Sequence, residues 1–423
     1  MSKCNDGFCP LPFNSISAKS NGDIRLCCNT DYLSRDRAVF YKNSEEIYNS
    51  SKDDWNEVRN CEQLKDIRKT MLKGEWHPDC IKCKVDESHG MRTLRMQEQD
   101  RWKMTIEDAK SITAEDGTVD TEKLPLQYID IRYGNFCNLK CRMCAPTDSS
   151  KWYDDFVELT GKSEFKDGHK SVILKASPKG TWETSEYDWI SNSEVFESNI
   201  SKYATTAKLL YILGGEPLII PEHIAHLKQI IAAGNSNKIE IRYASNLTSL
   251  PDQLIELWSR FKKITIFASI DGYGSVFNYQ RTPANWETVY KNMQIIDKIP
   301  FVNAYSQYTT TVLNVFHFPE FYKWWKFESG LNKFTPINTN CHTPNIYNIK
   351  ILPPDIKLQI EEYYNSFSID DRFEERKNIV LDFMNSEDKS NMLEKFIHST
   401  KKLDVIRSQD ITNIVPQFKG LFI

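Results

Sequence analysis

The sequence predicts an α/β protein: a partial (β/α)6 barrel of the TIM type, preceded by a small α+β domain rich in cysteine and followed by a helical segment. Three observations predict it. From about residue 126, short apolar or alternating runs recur with longer amphipathic stretches between them, as in βα units around a parallel sheet. Before residue 90 the chain is rich in turn signals and holds seven of its eleven cysteines. After residue 350 it is charged and helical in pattern, opening on Pro353-Pro354.

At 423 residues the chain has room for two or three domains. Hydrophobic residues make up 40% and aromatics 12%, enough for a large core and too much for a disordered chain. The net charge of −4 argues against a protein whose main task is gripping phosphates, so nucleic acid is not expected as a partner. The first residues lack a signal-peptide core, and no run of about 18 apolar residues occurs, so no membrane partner and a cytoplasmic location are expected. In that compartment clustered cysteines read as metal or redox sites rather than disulfides.

The expected domains are 1–90, a connector at 91–125, the barrel at 126–345 and the C-terminal helical cap at 346–423. Within the barrel the spacing predicts strands over 126–133, 209–213, 239–244, 264–270, 303–312 and 333–338. Helices are expected over 149–159, 193–204, 222–233, 250–259, 286–296 and 319–327, with a polar insertion over 161–190.

The first strand runs into Cys137-Asn-Leu-Lys-Cys141-Arg-Met-Cys144, a C-x3-C-x2-C loop. Three thiolates on one tight loop suit a cuboidal iron–sulfur cluster and leave one iron open to a further ligand. A zinc site with a fourth ligand elsewhere is the bland alternative. Leu213-Gly214-Gly215-Glu216-Pro217 follows the second strand, where glycines let the backbone approach a ligand. Strand ends of this kind carry the sites of barrel proteins.

At this point the sequence resembles the radical S-adenosylmethionine (radical SAM) superfamily, whose motif is C-x3-C-x2-C after the first barrel strand. The resemblance implies a [4Fe–4S] cluster on Cys137, Cys141 and Cys144, with S-adenosylmethionine as its further ligand. In that family one electron cleaves the cofactor, and the resulting 5′-deoxyadenosyl radical abstracts hydrogen from substrate. Met143 stands where the family has an aromatic residue beside the adenine. Gly214, Gly215 and Glu216 match the family's GGEP motif, which binds the methionine amino group. Ser245 and Asn246 resemble its "TNG" position, with Leu247 in place of the glycine. Ser269-Ile-Asp271-Gly272 and Arg281 resemble a segment assigned to the cofactor's ribose or carboxylate.

The N-terminal cysteines read separately as a four-thiolate site for zinc or an iron–sulfur cluster: Cys9, Cys27, Cys80 and Cys83. Cys27 and Cys28 would point opposite ways on a strand, so Cys28 is the alternative to Cys27. This arrangement resembles the SPASM/twitch extension, which holds an auxiliary [4Fe–4S] cluster but usually follows the barrel. Two clusters and S-adenosylmethionine are therefore the expected cofactors. His77 reads as a turn residue. Cys4, Cys61 and the rest of the cysteines read as inert thiols, except that Cys341, just after the last strand, is a candidate hydrogen-atom donor.

The resemblance implies a radical SAM oxidoreductase of the SPASM/twitch subgroup that abstracts hydrogen from an unactivated C–H bond. Oxidation or cross-linking of a peptide or protein is the first expectation. Dehydrogenation or epimerisation of a small polar metabolite (sugar, cyclitol or nucleotide) and nucleic-acid modification are the alternatives. The expected partners are the substrate peptide or small molecule and an electron donor such as flavodoxin or ferredoxin.

Overall fold

The computed structural model describes residues 7–30, 39–88, 92–191 and 193–422, so Cys4 lies outside the described residues. Eight strands form one sheet. They are β1 (Ser15–Ala18), β2 (Ile24–Arg25), β3 (Tyr128–Tyr133), β4 (Leu209–Gly214), β5 (Glu240–Ser245), β6 (Lys263–Ser269), β7 (Val302–Thr310) and β8 (Thr335–Asn340). Their order across the sheet is β8-β7-β6-β5-β4-β3-β1-β2. Every neighbouring pair is parallel except the β1–β2 hairpin.

Strands β3 to β8 thus lie side by side in chain order, and each connection between them contains helix. The helices Trp152–Thr160 and Glu194–Tyr203 precede β4, and Pro221–Ala232 precedes β5. Asp252–Trp258 precedes β6, and Phe318–Phe327 precedes β8. The connection before β7 holds two helices, Gly274–Gln280 and the expected Trp286–Asp297. The short Gly274–Gln280 helix has no sequence counterpart above, because Gly274 and Ser275 open it with weak helix formers. Residues 161–190 contain two two-stranded hairpins, Glu164–Asp167 with Lys170–Ile173 and Lys175–Ala176 with Trp182–Glu183.

Alternation along the strands separates two faces. Ile129, Ile131 and Tyr133 of β3 pack with Ile200, Leu227 and Ile230 of the flanking helices. On β7, buried Val302, Ala304, Ser306, Tyr308 and Thr310 alternate with half-buried Asn303, Tyr305, Gln307 and Thr309. One face is therefore the helix-covered core, and the other stays partly open.

The N-terminal segment shares this sheet. Ser15, Ile16, Ser17 and Ala18 pair in parallel with residues 128–131 of β3, and β2 closes that edge. The connector contributes the helix Leu94–Trp102, whose Glu98 and Arg101 meet Arg242 (3.4 Å) and Glu240 (2.9 Å) near the start of β5. The C-terminal segment holds the helices Pro354–Asn365, Asp371–Asn385 and Leu393–Arg407. Among the described residues, no helix is long and apolar enough to cross a membrane.

Candidate functional site

The cysteine loop starts four residues beyond β3. Its backbone is fastened to the segment after the Gly274–Gln280 helix: Lys140 N–H donates to the Thr282 carbonyl (2.7 Å) and Arg142 N–H to the Gln280 carbonyl (2.8 Å). Trp152 Nε1–H donates to the Cys141 carbonyl (2.8 Å), and Ser149 Oγ–H donates to the Leu139 carbonyl. These bonds fix the loop independently of its thiols.

Cys137 and Cys141 are buried and Cys144 is half-buried. Burial, reinforced by the charge of Cys141, pushes the Cys137 thiol up to about 12. Cys141 and Cys144 are hydrogen-bonded to each other, which lowers Cys141 and raises Cys144. Arg281 Nη1 donates to Cys141 Sγ (3.7 Å), and Arg281 and Arg407 both add positive potential there. The buried guanidinium groups of Arg142 and Arg407 keep N–H groups without acceptors. A trio of thiols flanked by guanidinium groups that retain free donors suits an anionic group, which a thiolate-ligated iron–sulfur cluster is.

The Gly-Gly-Glu turn is locked to this loop. Glu216 N–H donates to the Phe136 carbonyl (2.9 Å). A Cβ on Gly215 would lie 2.1 Å from that carbonyl oxygen, so only glycine permits the approach. Gly215→Ala should therefore push the two loops apart and destabilise the chain by about 1–3 kcal/mol. Denaturant unfolding checks this, and a wild-type midpoint would rule the contact unimportant.

Glu216 is buried, and its carboxylate accepts from Ser245 Oγ–H (2.8 Å), Leu218 N–H (3.2 Å) and Asn246 N–H (2.7 Å). Burial still raises its acid to about 7. A buried carboxylate with this deficit of positive charge suits a cationic partner such as an ammonium. Ser245 thus faces Glu216, and Asn246 links the turn to the cysteine loop through Asn138 Oδ1 (3.1 Å) and Cys137 Sγ (3.9 Å). Leu247 takes a left-handed backbone (φ 55°), the conformation a glycine at that position would adopt without strain.

Ser269 ends β6 beside Gln307 on the open face. Met143 packs half-buried against the core. Arg281 forms an ion pair with Asp271 (2.5 Å) as well as meeting Cys141. Cys341 is buried, with its thiol donating to the carbonyls of Thr343 (3.5 Å) and Pro344 (3.9 Å). Burial, then the charge of Asp271, lifts it to about 12.

The sequence did not reveal the brace on the far side of the loop. Arg142 stacks on Tyr279 (3.8 Å to the ring centre), pairs with Asp404 and donates to Gln409 (2.8 Å). Asp404 also accepts from Tyr279 Oη–H (2.9 Å) and Ile411 N–H (2.9 Å). Arg407 pairs with Asp155 (2.7 Å), which also takes Lys140 (2.6 Å), and lies over Trp152. The C-terminal helix Leu393–Arg407 thus grips the loop from outside. The buried Arg142 between two cysteines is the one local signal, since an arginine fully removed from water needs a partner.

The other thiols gather at the N-terminal end. Cys9, Cys27, Cys80 and Cys83 line one cavity with Leu11, Met71 and Arg95. Burial raises Cys9 and Cys27 well above the usual thiol range and Cys80 to about 12, and repulsion between these thiols adds to each rise. Arg95 offsets only part of that rise at Cys9 and Cys80, and a metal centre would supply further positive charge. Cys28 is not on the cavity lining and acts instead on Tyr128 and Tyr211 of β3 and β4. His77 caps the turn before Cys80 by accepting from Asp79 N–H (3.2 Å). Cys61 is buried at the start of the helix Glu62–Leu72. Among the described residues, no three His, Cys, Asp or Glu side chains close tightly enough to hold a single metal ion.

No protein-family model matches the chain, and no curated protein matches it. Ten chains of solved structures do. SuiB from Streptococcus suis bound to S-adenosylmethionine is 14% identical over 76% of this chain and 66% of its own, with a TM-score of 0.34. SuiB alone is 14% identical over 76% and 65%, with a TM-score of 0.33. SuiB bound to its precursor peptide SuiA is 13% identical over 76% and 65%, with a TM-score of 0.32. The chain spans just under two thirds of the length of these structures. No residue role here rests on that likeness.

Proposed function

We propose that the chain is a radical S-adenosylmethionine enzyme with two [4Fe–4S] clusters. The observation that carries this reading is the C-x3-C-x2-C loop beyond the first of six sequential parallel strands, locked through Phe136 and Glu216 to the Gly-Gly-Glu turn of the next. Bound there, a cluster and S-adenosylmethionine supply one-electron cleavage of the sulfonium and hydrogen abstraction from a substrate C–H bond. Cys137, Cys141 and Cys144 hold the cluster. Arg281 and Arg407 offset its negative charge. Glu216, kept in place by Ser245 and Asn246, receives the cofactor's ammonium. The six-stranded parallel run and its helices are the partial barrel, and the open face of the sheet is the substrate chamber.

Cys9, Cys27, Cys80 and Cys83 would hold the auxiliary cluster, which would supply one-electron chemistry or a substrate-binding iron there. Oxidation or cross-linking of a peptide is the preferred reaction, and oxidation of a small polar metabolite is the second reading. Cys341 as hydrogen donor gains no separate support, since its thiol is already directed at two carbonyls. An external one-electron donor completes the cycle.

The test is anaerobic reconstitution with iron and sulfide, followed by dithionite and S-adenosylmethionine. About eight irons per chain and release of 5′-deoxyadenosine are expected. A fully loaded chain that never yields 5′-deoxyadenosine, across peptide and metabolite substrates, would remove the reading. Cys27→Ala should lose about four irons while Cys28→Ala keeps all eight. The reverse pattern would exchange their roles.

A further inference from the structure

Among the described residues, Arg132 on the open face of the sheet has no ion-pair partner. Arg132 is the next-to-last residue of β3, two beyond Asp130 on the same face and five before Cys137. Its Nε is sealed from solvent with no acceptor, and the side chain makes no hydrogen bond or ion pair among the described residues. Its neighbours on the face are differently placed. Arg242 on β5 is ion-paired with Glu98 (3.4 Å) and Glu240 (3.3 Å). The arginines around the cysteine loop, Arg142, Arg281 and Arg407, each have a carboxylate.

A half-buried guanidinium has lost part of its hydration and needs a replacement. Its planar fork matches a carboxylate or phosphate, which would fill the empty donors with charge-assisted bonds. What lies beside it is apolar and aromatic. Leu213 pairs with it across the sheet, and Tyr211 of β4 is near enough to feel its charge. Beyond them Phe267 and Tyr305 stack at 5.7 Å, with Phe267 edge-on to Tyr211 at 6.3 Å. Cys28 acts on this same Tyr211 while Cys27, its chain neighbour, lines the N-terminal thiol cavity. Arg132 itself lies on the strand that runs into the C-x3-C-x2-C loop.

We propose that Arg132 anchors an acidic group of the substrate, a carboxylate or a phosphate, whose body lies against Tyr211, Phe267 and Tyr305. This rests on the reading of the open face as the substrate chamber. It goes further by naming the charge of the substrate and the residue that selects it.

The test uses the full chain, reconstituted with iron and sulfide, and three small probes: 3-phenylpropionate, phenyl phosphate and the neutral 3-phenylpropanamide. Calorimetry or ligand-observed NMR gives each affinity. At least one acid should bind about tenfold or more tightly than the amide. Whichever acid is preferred identifies the substrate group as carboxylate or phosphate. Arg132→Gln should erase that preference, Arg132→Lys should keep part of it, and Arg242→Gln should leave it intact. Equal binding of acid and amide by the wild type overturns the proposal, as does a preference that survives Arg132→Gln. Loss of the preference in Arg242→Gln also overturns it, by pointing to the general field of the face. Reduced S-adenosylmethionine affinity in Arg132→Gln with unchanged probe binding would assign Arg132 to the cofactor instead. Failure of the radical reading shows differently: the wild type would lack 5′-deoxyadenosine while its Arg132-dependent acid binding persisted.

Discussion

Cys141→Ala is expected to lower bound iron from about eight to about four atoms per chain and to abolish 5′-deoxyadenosine formation. The thiol removed is the one on which the local charges converge. Cys144 donates to it, Arg281 Nη1 lies 3.7 Å from it, and Arg407 adds to the field. The loop should nonetheless remain folded. Its backbone is tied to Gln280 and Thr282, and the carbonyl of Cys141 is held by Trp152, none of which needs the sulfur. Loss of a small buried side chain costs far less than the loop's fastening provides, so an intact melting transition should accompany the missing iron. Iron assay, chromatography of the nucleoside product and thermal unfolding read the three quantities. A variant that keeps eight irons and full product would show that the loop is not a cluster site. A variant that loses iron together with its fold would show that the thiol is structural.

Asp404→Ala should destabilise the chain by about 3–5 kcal/mol, because it strands a fully buried guanidinium. Arg142 is 1% exposed, and Asp404 is its only carboxylate among the described residues. The same aspartate accepts from Tyr279 and from the Ile411 amide, so its removal frees three donors at once. The consequence reaches the site, since Arg142 sits between Cys141 and Cys144 and its own N–H ties the loop to Gln280. Weaker iron retention through gel filtration should follow the fall in denaturant midpoint. Replacing Arg142 and Asp404 together with apolar residues of similar size should recover much of the stability, since a well-packed apolar pair can match a buried ion pair. If Asp404→Ala unfolds at the wild-type midpoint, the C-terminal helix is a passive cover rather than a brace.

How much of this was legible depends on the range of the contacts. All six expected barrel strands begin and end within two residues of β3 to β8. Alternating or continuous apolar runs are a local signal, and strands buried on one face display it. The expected helices likewise match, since Ser193 and Asn285 cap two of them visibly. The C-x3-C-x2-C spacing was equally readable because Cys137, Cys141 and Cys144 lie on one short loop.

Other features had no such signal. That the N-terminal hairpin pairs with β3 joins residues 15–18 to 128–131, and nothing in either run names its partner. The choice of Cys27 over Cys28 as the residue lining the cavity follows from which face of the chain meets Cys9, Cys80 and Cys83. That Arg281 meets both Asp271 and Cys141 was not legible either, because the turn after Gly274–Gln280 carries it to the loop. The C-terminal segment looked chemically silent, although Asp404 pairs with Arg142 of the loop from 262 residues away and Arg407 with Asp155, the partner of Lys140, from 252 residues away.

The sequence by itself determined the alternation of strands and helices, the thiol spacings and the Gly-Gly-Glu turn, all of which are local in the chain. Only the tertiary structure decided which charges surround the thiols, which cysteine of a pair turns inward, and that Arg132 faces the open side without a partner. Those are properties of burial and of neighbours far apart in the chain, and they exist only once the sheet is assembled.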